Sequence, residues 1–283
     1  MLLIACAVVV AVAAAVRSSW SPCGRSMLSS LTPLSERARG RSFRATACWY
    51  IAGSVLGGLT LGACIALAAL VVGAWSISSK VILVAACAGA LVAVASDTGI
   101  GGFHLPMHTR QVNEDWLDAY RGWVYGVGFG WQIGVGVGTF IMTAAVYLTV
   151  WLGTLTGSPL VALLLGGLFG LLRGLGILPA RRCTTPERLS RLHERLDRYD
   201  GVARRAVVAV ELGVAVLCGF AAALALGVAV AAAALVVGLV SARRAATRRG
   251  YASLVAGVER KRPLRSSLTA GTGLGSVKST GSL

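Results

Sequence analysis

Trp20-Ser21-Pro22-Cys23-Gly24-Arg25-Ser26-Met27 interrupts the apolar N-terminal part of this chain with a proline directly before a cysteine. It follows an apolar run over residues 2–16 and precedes a mixed segment over 28–34. Pro22 lacks a backbone N–H and disfavours helical geometry at Ser21, so a helix arriving from the N-terminus must break or kink there. The break leaves Cys23 near the start of a second helical segment. Unpaired N–H groups and the positive end of the helix dipole favour a thiolate at such a place. At membrane depth a broken helix is tolerated only where it is buried in protein or lines a cavity. The stretch therefore points to a working centre, or else to a plain kink in which Cys23 packs as a small apolar residue.

The surrounding composition supplies the membrane. Mean hydropathy is +0.75 and only 13% of residues are charged, which places the chain among polytopic membrane proteins. Several apolar runs reach the roughly 20 residues that cross a bilayer. The fold class expected is an all-α membrane helix bundle. The net charge of +16 invites a nucleic-acid reading, but the arginines lie in loops between apolar runs. That distribution is the signal for topology, and it makes a bilayer with anionic headgroups the expected partner and excludes nucleic acid. Of the seven cysteines, Cys6, Cys48, Cys64, Cys87 and Cys218 fall in apolar runs, where packing is the ordinary role. Cys183 falls in a basic loop expected to be cytoplasmic and reduced. No spacing suits a metal centre, and no cofactor is expected. The N-terminal run lacks a positive region and a clean cleavage site, so it reads as a retained membrane segment.

Along the chain, the first element is expected over residues 2–33 with its break near Pro22. The arginine-rich loop 35–44 leads to a second span over 45–74, in which Gly53, Gly57, Gly58 and Gly62 form a small-residue face. A short connection leads to a third span over 81–96. Residues 97–122 form the longest polar interruption. There His104 and His108 stand four apart around Met107; Pro106 argues against a regular helix, so a solvated interfacial loop is expected rather than a soft-metal site. Trp116, Tyr120, Trp123 and Tyr125 suit an aromatic belt. The fourth span, 123–152, is rich in glycine and carries Gln132 in its middle. The fifth, 158–178, contains Arg173, which snorkelling to the headgroups explains.

Residues 180–205 read as an amphipathic cytoplasmic helix, with Leu189, Leu192, Leu196 and Tyr199 on one stripe, which would lie on the membrane or bind a partner helix, the former being expected. The apolar run 207–240 is too long for one untilted crossing, and a hairpin turning near 219–226 would keep the basic tail 242–283 in the cytoplasm. Glu211 is the only carboxylate within that run, and either a functional role or an interfacial pair with Arg204 and Arg205 accounts for it.

With the basic loop and the glycine-rich second span behind it, Ser21-Pro-Cys-Gly-Arg-Ser-Met-Leu28 resembles the opening of membrane thiol–disulfide carriers of the DsbD/CcdA type. In the fourth span, Gly126-Val-Gly-Phe-Gly-Trp-Gln-Ile-Gly-Val-Gly136 is similar to the family's second Pro-Cys stretch, with Gln132 and Ile133 standing where the Pro-Cys pair would be. The resemblance implies a three-plus-three inverted repeat and a thioredoxin-like protein or another membrane subunit as partner. It carries over Cys23 alone as a redox position.

Three functions are compatible with these residues. The first is a thiol-redox or cytochrome-maturation component using Cys23 with Cys48, Cys64 or Cys87 as its second sulfur. The second is a small-solute transporter whose site is formed by Pro22, Arg25, Ser26, Gln132 and Gly134 between two interrupted helices. The third is a non-catalytic membrane subunit. In each the chain belongs in the cell membrane. If the repeat is real, Cys23 and Gln132 should face each other.

Overall fold

The computed structural model describes residues 1–106, 120–137 and 141–235. The expected break is where Pro22 requires it. Helix α1 (Leu2–Arg17) runs into a 3-10 turn (Ser18–Trp20), Ser21 is extended at φ −63° and ψ 153°, and α2 (Pro22–Ser30) begins at the proline. Proline is harmless there, because the first N–H groups of a helix have no intrahelical acceptor. The Ser21 hydroxyl accepts the Gly24 N–H at 3.1 Å and caps the new helix. A reciprocal Thr32–Ser35 capping box then starts the short α3 (Pro33–Ala38).

The remaining helices are α4 (Phe43–Ala74), α5 (Ser79–Thr98), α6 (Gly122–Val135), α7 (Ala145–Leu155), α8 (Pro159–Leu175), α9 (Pro186–Ala222) and the short α10 (Leu224–Leu235). Among the described residues, five helical stretches are long and apolar enough to cross a membrane: Leu2–Trp20, α4, α5, Pro159–Arg182 and α9. Among the described residues there is no strand. The chain is an all-α polytopic membrane bundle.

Helix α4 lies at its centre, held between α6 and α8. Glycines make that approach possible. A Cβ at Gly57 would stand 2.1 Å from the Trp131 carbonyl oxygen, and one at Gly130 2.1 Å from that of Tyr50. On the other side, one at Gly58 would stand 2.3 Å from the Gly166 carbonyl, and one at Gly170 2.2 Å from that of Ser54. The small-residue face of α4 therefore meets two further glycine rows, 126/130/134 and 166/170/174, and backbone packs directly on backbone.

The span expected over 123–152 is divided. Helix α6 stops at Val135, Gly136 takes a φ of +72° that favours glycine, and α7 begins at Ala145. Each half of the chain thus runs as an interrupted helix followed by two long ones. Like elements of the two halves pack together: α1 on α7, α4 on α8, and α5 on α9.

Three expectations need correction. The amphipathic segment 180–205 and the apolar run after it are not separate elements, because α9 is one unbroken helix of 37 residues. The apolar stripe of its outer half meets protein: Leu192 and Leu196 pack against a core formed by Met27, Leu28, Tyr50 and Tyr125. Tyr125, assigned by sequence to an aromatic belt, is fully buried, whereas Trp123 and Tyr120 are exposed. Helix α9 ends where Ala223 becomes extended, and Gly227 folds back against Gly219 and Phe220. The expectations on Met107, His108, Trp116 and the basic tail fall outside the described residues.

Candidate functional site

The break after α1 is sealed from several sides. Cys23, in the first turn of α2, is only 2% exposed. The chain doubles back so tightly that a Cβ at Gly24 would come within 2.7 Å of the Ser19 carbonyl oxygen. Opposite stands Tyr50 of α4, 3% exposed, and from α8 comes Arg173, 5% exposed. Arg173 lies within electrostatic reach of both the Tyr50 phenol and the Cys23 thiol. Its guanidinium stands 5.6 Å above the Phe169 ring, a cation–π arrangement. Its Nη2 is buried with no hydrogen-bond partner among the described residues. A cavity of about 20 Å³, lined by Ser18, Ser19, Gly24, Tyr50, Ile133 and Arg173 among others, lies against it. That is room for about one water molecule.

Arg173 is the residue that sequence reasoning misjudged. It does not snorkel to the headgroups, because its side chain is turned into the bundle. The signal was its register: Gly166, Gly170 and Gly174 mark the buried face of α8, and Arg173 shares that face. The other proposed site residues divide. Arg25 is held by Asp197 of α9 at 2.8 Å, partly exposed. Pro22 starts α2 and Ser26 is half-buried on it; neither lines the cavity. Gln132 is also half-buried, and its neighbour Ile133 lines the cavity in its place. A Cβ at Gly134 would stand 2.0 Å from the Ser54 carbonyl, so Gly134 serves helix packing.

The structure brings none of the three proposed second sulfurs to Cys23. Cys48 and Cys64 are exposed on α4. Two residues before Tyr50, Cys48 points about 200° away from it around the helix, and Cys64 lies about 21 Å further along. Cys87 is buried elsewhere, 3.7 Å from where a Cβ of Gly219 would stand. A thiol pair that sequence could not reveal lies near it: Cys6 of α1 hydrogen-bonds Cys218 of α9. Copper-phenanthroline treatment is expected to join Cys6 to Cys218 in intact membranes, read as a linked peptide pair by mass spectrometry. Failure to join them, with both thiols still reactive toward maleimide after unfolding, would contradict this packing of α1 on α9. In the loop, burial raises the Cys183 thiol above its ordinary value, which keeps it a poor nucleophile.

The outer half of α9 lies over the α1–α2 joint. Arg17 pairs with Asp200 at 2.7 Å, the Trp20 indole N–H donates to the Leu196 carbonyl at 2.8 Å, and Ser29 meets His193 at 3.2 Å. Together with the Arg25–Asp197 pair, these contacts cover the approach to Cys23 from that side.

No family model and no solved structure matches the chain. It is similar to the methylamine utilization protein MauF of Methylobacillus flagellatus, 27% identical over 208 residues that cover 69% of this chain and 70% of the relative. The MauF protein of Paracoccus denitrificans is 31% identical over 173 residues, covering 59% of this chain and 60% of that one. The MauF protein of Methylophilus methylotrophus is 27% identical over 220 residues, covering 72% and 74%.

Proposed function

We propose that this chain is a cell-membrane protein of methylamine utilization that performs thiol–disulfide exchange at Cys23 with a thioredoxin-like partner, its basic tail on the cytoplasmic side. The observation that carries this reading is the interrupted first helix, which sets Cys23 in the opening turn of α2 within electrostatic reach of a buried, incompletely partnered Arg173. A helix start and a nearby cation are what a reactive thiolate requires. The resemblance to DsbD/CcdA-type carriers and the name of the relatives supply the biological setting.

In the exchange, the Cys23 thiolate attacks one sulfur of a disulfide in the partner protein. A Cys23–partner disulfide forms, the partner's S–S bond breaks, and its other sulfur leaves as thiolate. The partner's freed thiolate can then reverse the step, or a third thiol can complete it. Because Cys23 is buried, exchange requires the outer half of α9 to lift from the α1–α2 joint. A second reading is a conduit for a small anionic solute. The open Nη2 of Arg173 beside the cavity favours it.

Acid quenching of membranes followed by alkylation and mass spectrometry tests the first reading. The expected result is a mixed disulfide at Cys23, absent in Cys23→Ser and enriched when Asp197 and Asp200 are replaced by Asn to loosen α9. Cys23→Ser should also abolish growth on methylamine. Wild-type growth of Cys23→Ser combined with loss in Arg173→Gln would reject thiol exchange in favour of the solute conduit.

A further inference from the structure

We infer that Glu211 is a proton-binding site inside the membrane-spanning part of the bundle, exchanging its proton with the surface by way of Asp97. The inference is independent of thiol chemistry at Cys23. Glu211 lies on α9, and its side chain is fully buried. Neither carboxyl oxygen has a hydrogen-bond partner among the described residues. Val207 and Val214, one turn to either side, are buried in the main apolar core, so the carboxyl faces that same core.

Glu36 shows how this chain surrounds a buried carboxyl group with partners. It too is fully buried, but it accepts hydrogen bonds from the hydroxyls of Thr46 and Tyr125 and has Arg39 at 3.5 Å. Glu211 has no such arrangement. The two arginines on its own helix that could have neutralised it are engaged elsewhere: Arg204 donates to the Asp97 backbone carbonyl and Arg205 to the Gly201 carbonyl. From α1, Arg17 is committed to Asp200. The charged group that does act on Glu211, from α5, is Asp97, a second acid. An ionised carboxylate in that setting is among the costliest groups a membrane interior can hold, and the proton is the ligand that removes the cost without needing further partners.

Asp97 connects this carboxyl to the outside. It is half-buried at the end of α5, and its oxygens accept from the Thr143 hydroxyl and from the Ala144 N–H at 2.6 Å, just ahead of α7. Arg204, beside it, is exposed. The pair thus runs from a half-buried acid at a helix end to a bare internal one.

Dicyclohexylcarbodiimide, an apolar reagent that attacks protonated carboxyls, tests the assignment on the full chain in membranes. Peptide mass spectrometry should find the adduct at Glu211 at least tenfold above that at exposed Glu194. Labelling should fall as pH rises and be indifferent to added sodium or potassium. Infrared difference spectra should contain a protonated-carboxyl band that disappears in Glu211→Gln and persists in Glu194→Gln. Labelling at Glu211 no greater than at Glu194, or suppressed by sodium at constant pH, would overturn the proposal, the latter in favour of a metal-cation site. Because the adduct is read in the wild-type chain, a Glu211→Gln variant that fails to fold leaves the labelling test intact.

Discussion

Gly130→Ala is expected to destabilise the bundle by about 3 kcal/mol or more, while Gly213→Ala, in the interior of α9, is expected to stabilise it by up to about 1 kcal/mol. The same substitution has opposite signs because of what the new methyl group meets. At Gly130 it would stand 2.1 Å from the Tyr50 carbonyl oxygen and 2.8 Å from the Ser54 N, both backbone atoms of α4. No side-chain rotation relieves such a clash, so α4 and α6 must separate and surrender packing along their whole contact. At Gly213 nothing lies within 4 Å of the new Cβ. There alanine only removes the extra freedom that glycine has in the unfolded chain. Unfolding of the purified protein in graded denaturing detergent measures both. Equal effects at the two positions would mean that the close α4–α6 contact does not carry the fold.

The second large effect is expected at Glu36. Glu36→Ala should cost about 3–5 kcal/mol, the range for breaking a buried charged cluster by removing one member. The loss removes the acceptor that the fully buried Tyr125 hydroxyl shares with the Thr46 hydroxyl, and the acidic neighbour of the Arg39 guanidinium. The double variant Glu36→Ala/Tyr125→Phe should therefore be less destabilised than the two single effects added, with a coupling of roughly 1–3 kcal/mol. Strict additivity would show that the two side chains do not share a bond in solution. This cluster ties the short α3 to α4 and α6, so its loss should also raise the proteolytic sensitivity of residues 33–42.

The break at Ser21–Pro22 was legible in the sequence because its cause is local: a missing N–H and a steric conflict with the preceding residue. Glycine as a packing surface on α4 was legible for the same reason. Its partners were not, since Gly166, Gly170 and Gly174 acquire meaning only when α8 lies against α4. The position of Arg173 was misjudged because a cation near a helix end has a general lipid-facing explanation, and only the glycine register shows which side it occupies. The continuity of α9 was hidden by its composition: the charged outer half and the apolar inner half look like two elements. Yet no proline or cap separates them, and a change of solvent along a helix need not interrupt its hydrogen bonds. Glu36 and the Cys6–Cys218 contact depend on tertiary neighbours far away in sequence, and nothing local announces them.

The pairing of α1 with α7, α4 with α8 and α5 with α9 also governs biosynthesis. A nascent chain halted after α5 has laid three apolar segments into the bilayer, and the principal partners of each are still unmade. The glycine rows of α4 face lipid until residues 122–175 emerge from the ribosome, and Tyr50 waits as long for Arg173. The N-terminal half is therefore an obligate intermediate rather than a foldable piece, held open until the second half threads alongside it. Chains truncated in the loop after α5 should be cleared by membrane quality control, and separately expressed halves should rescue each other only when both are inserted in the same membrane.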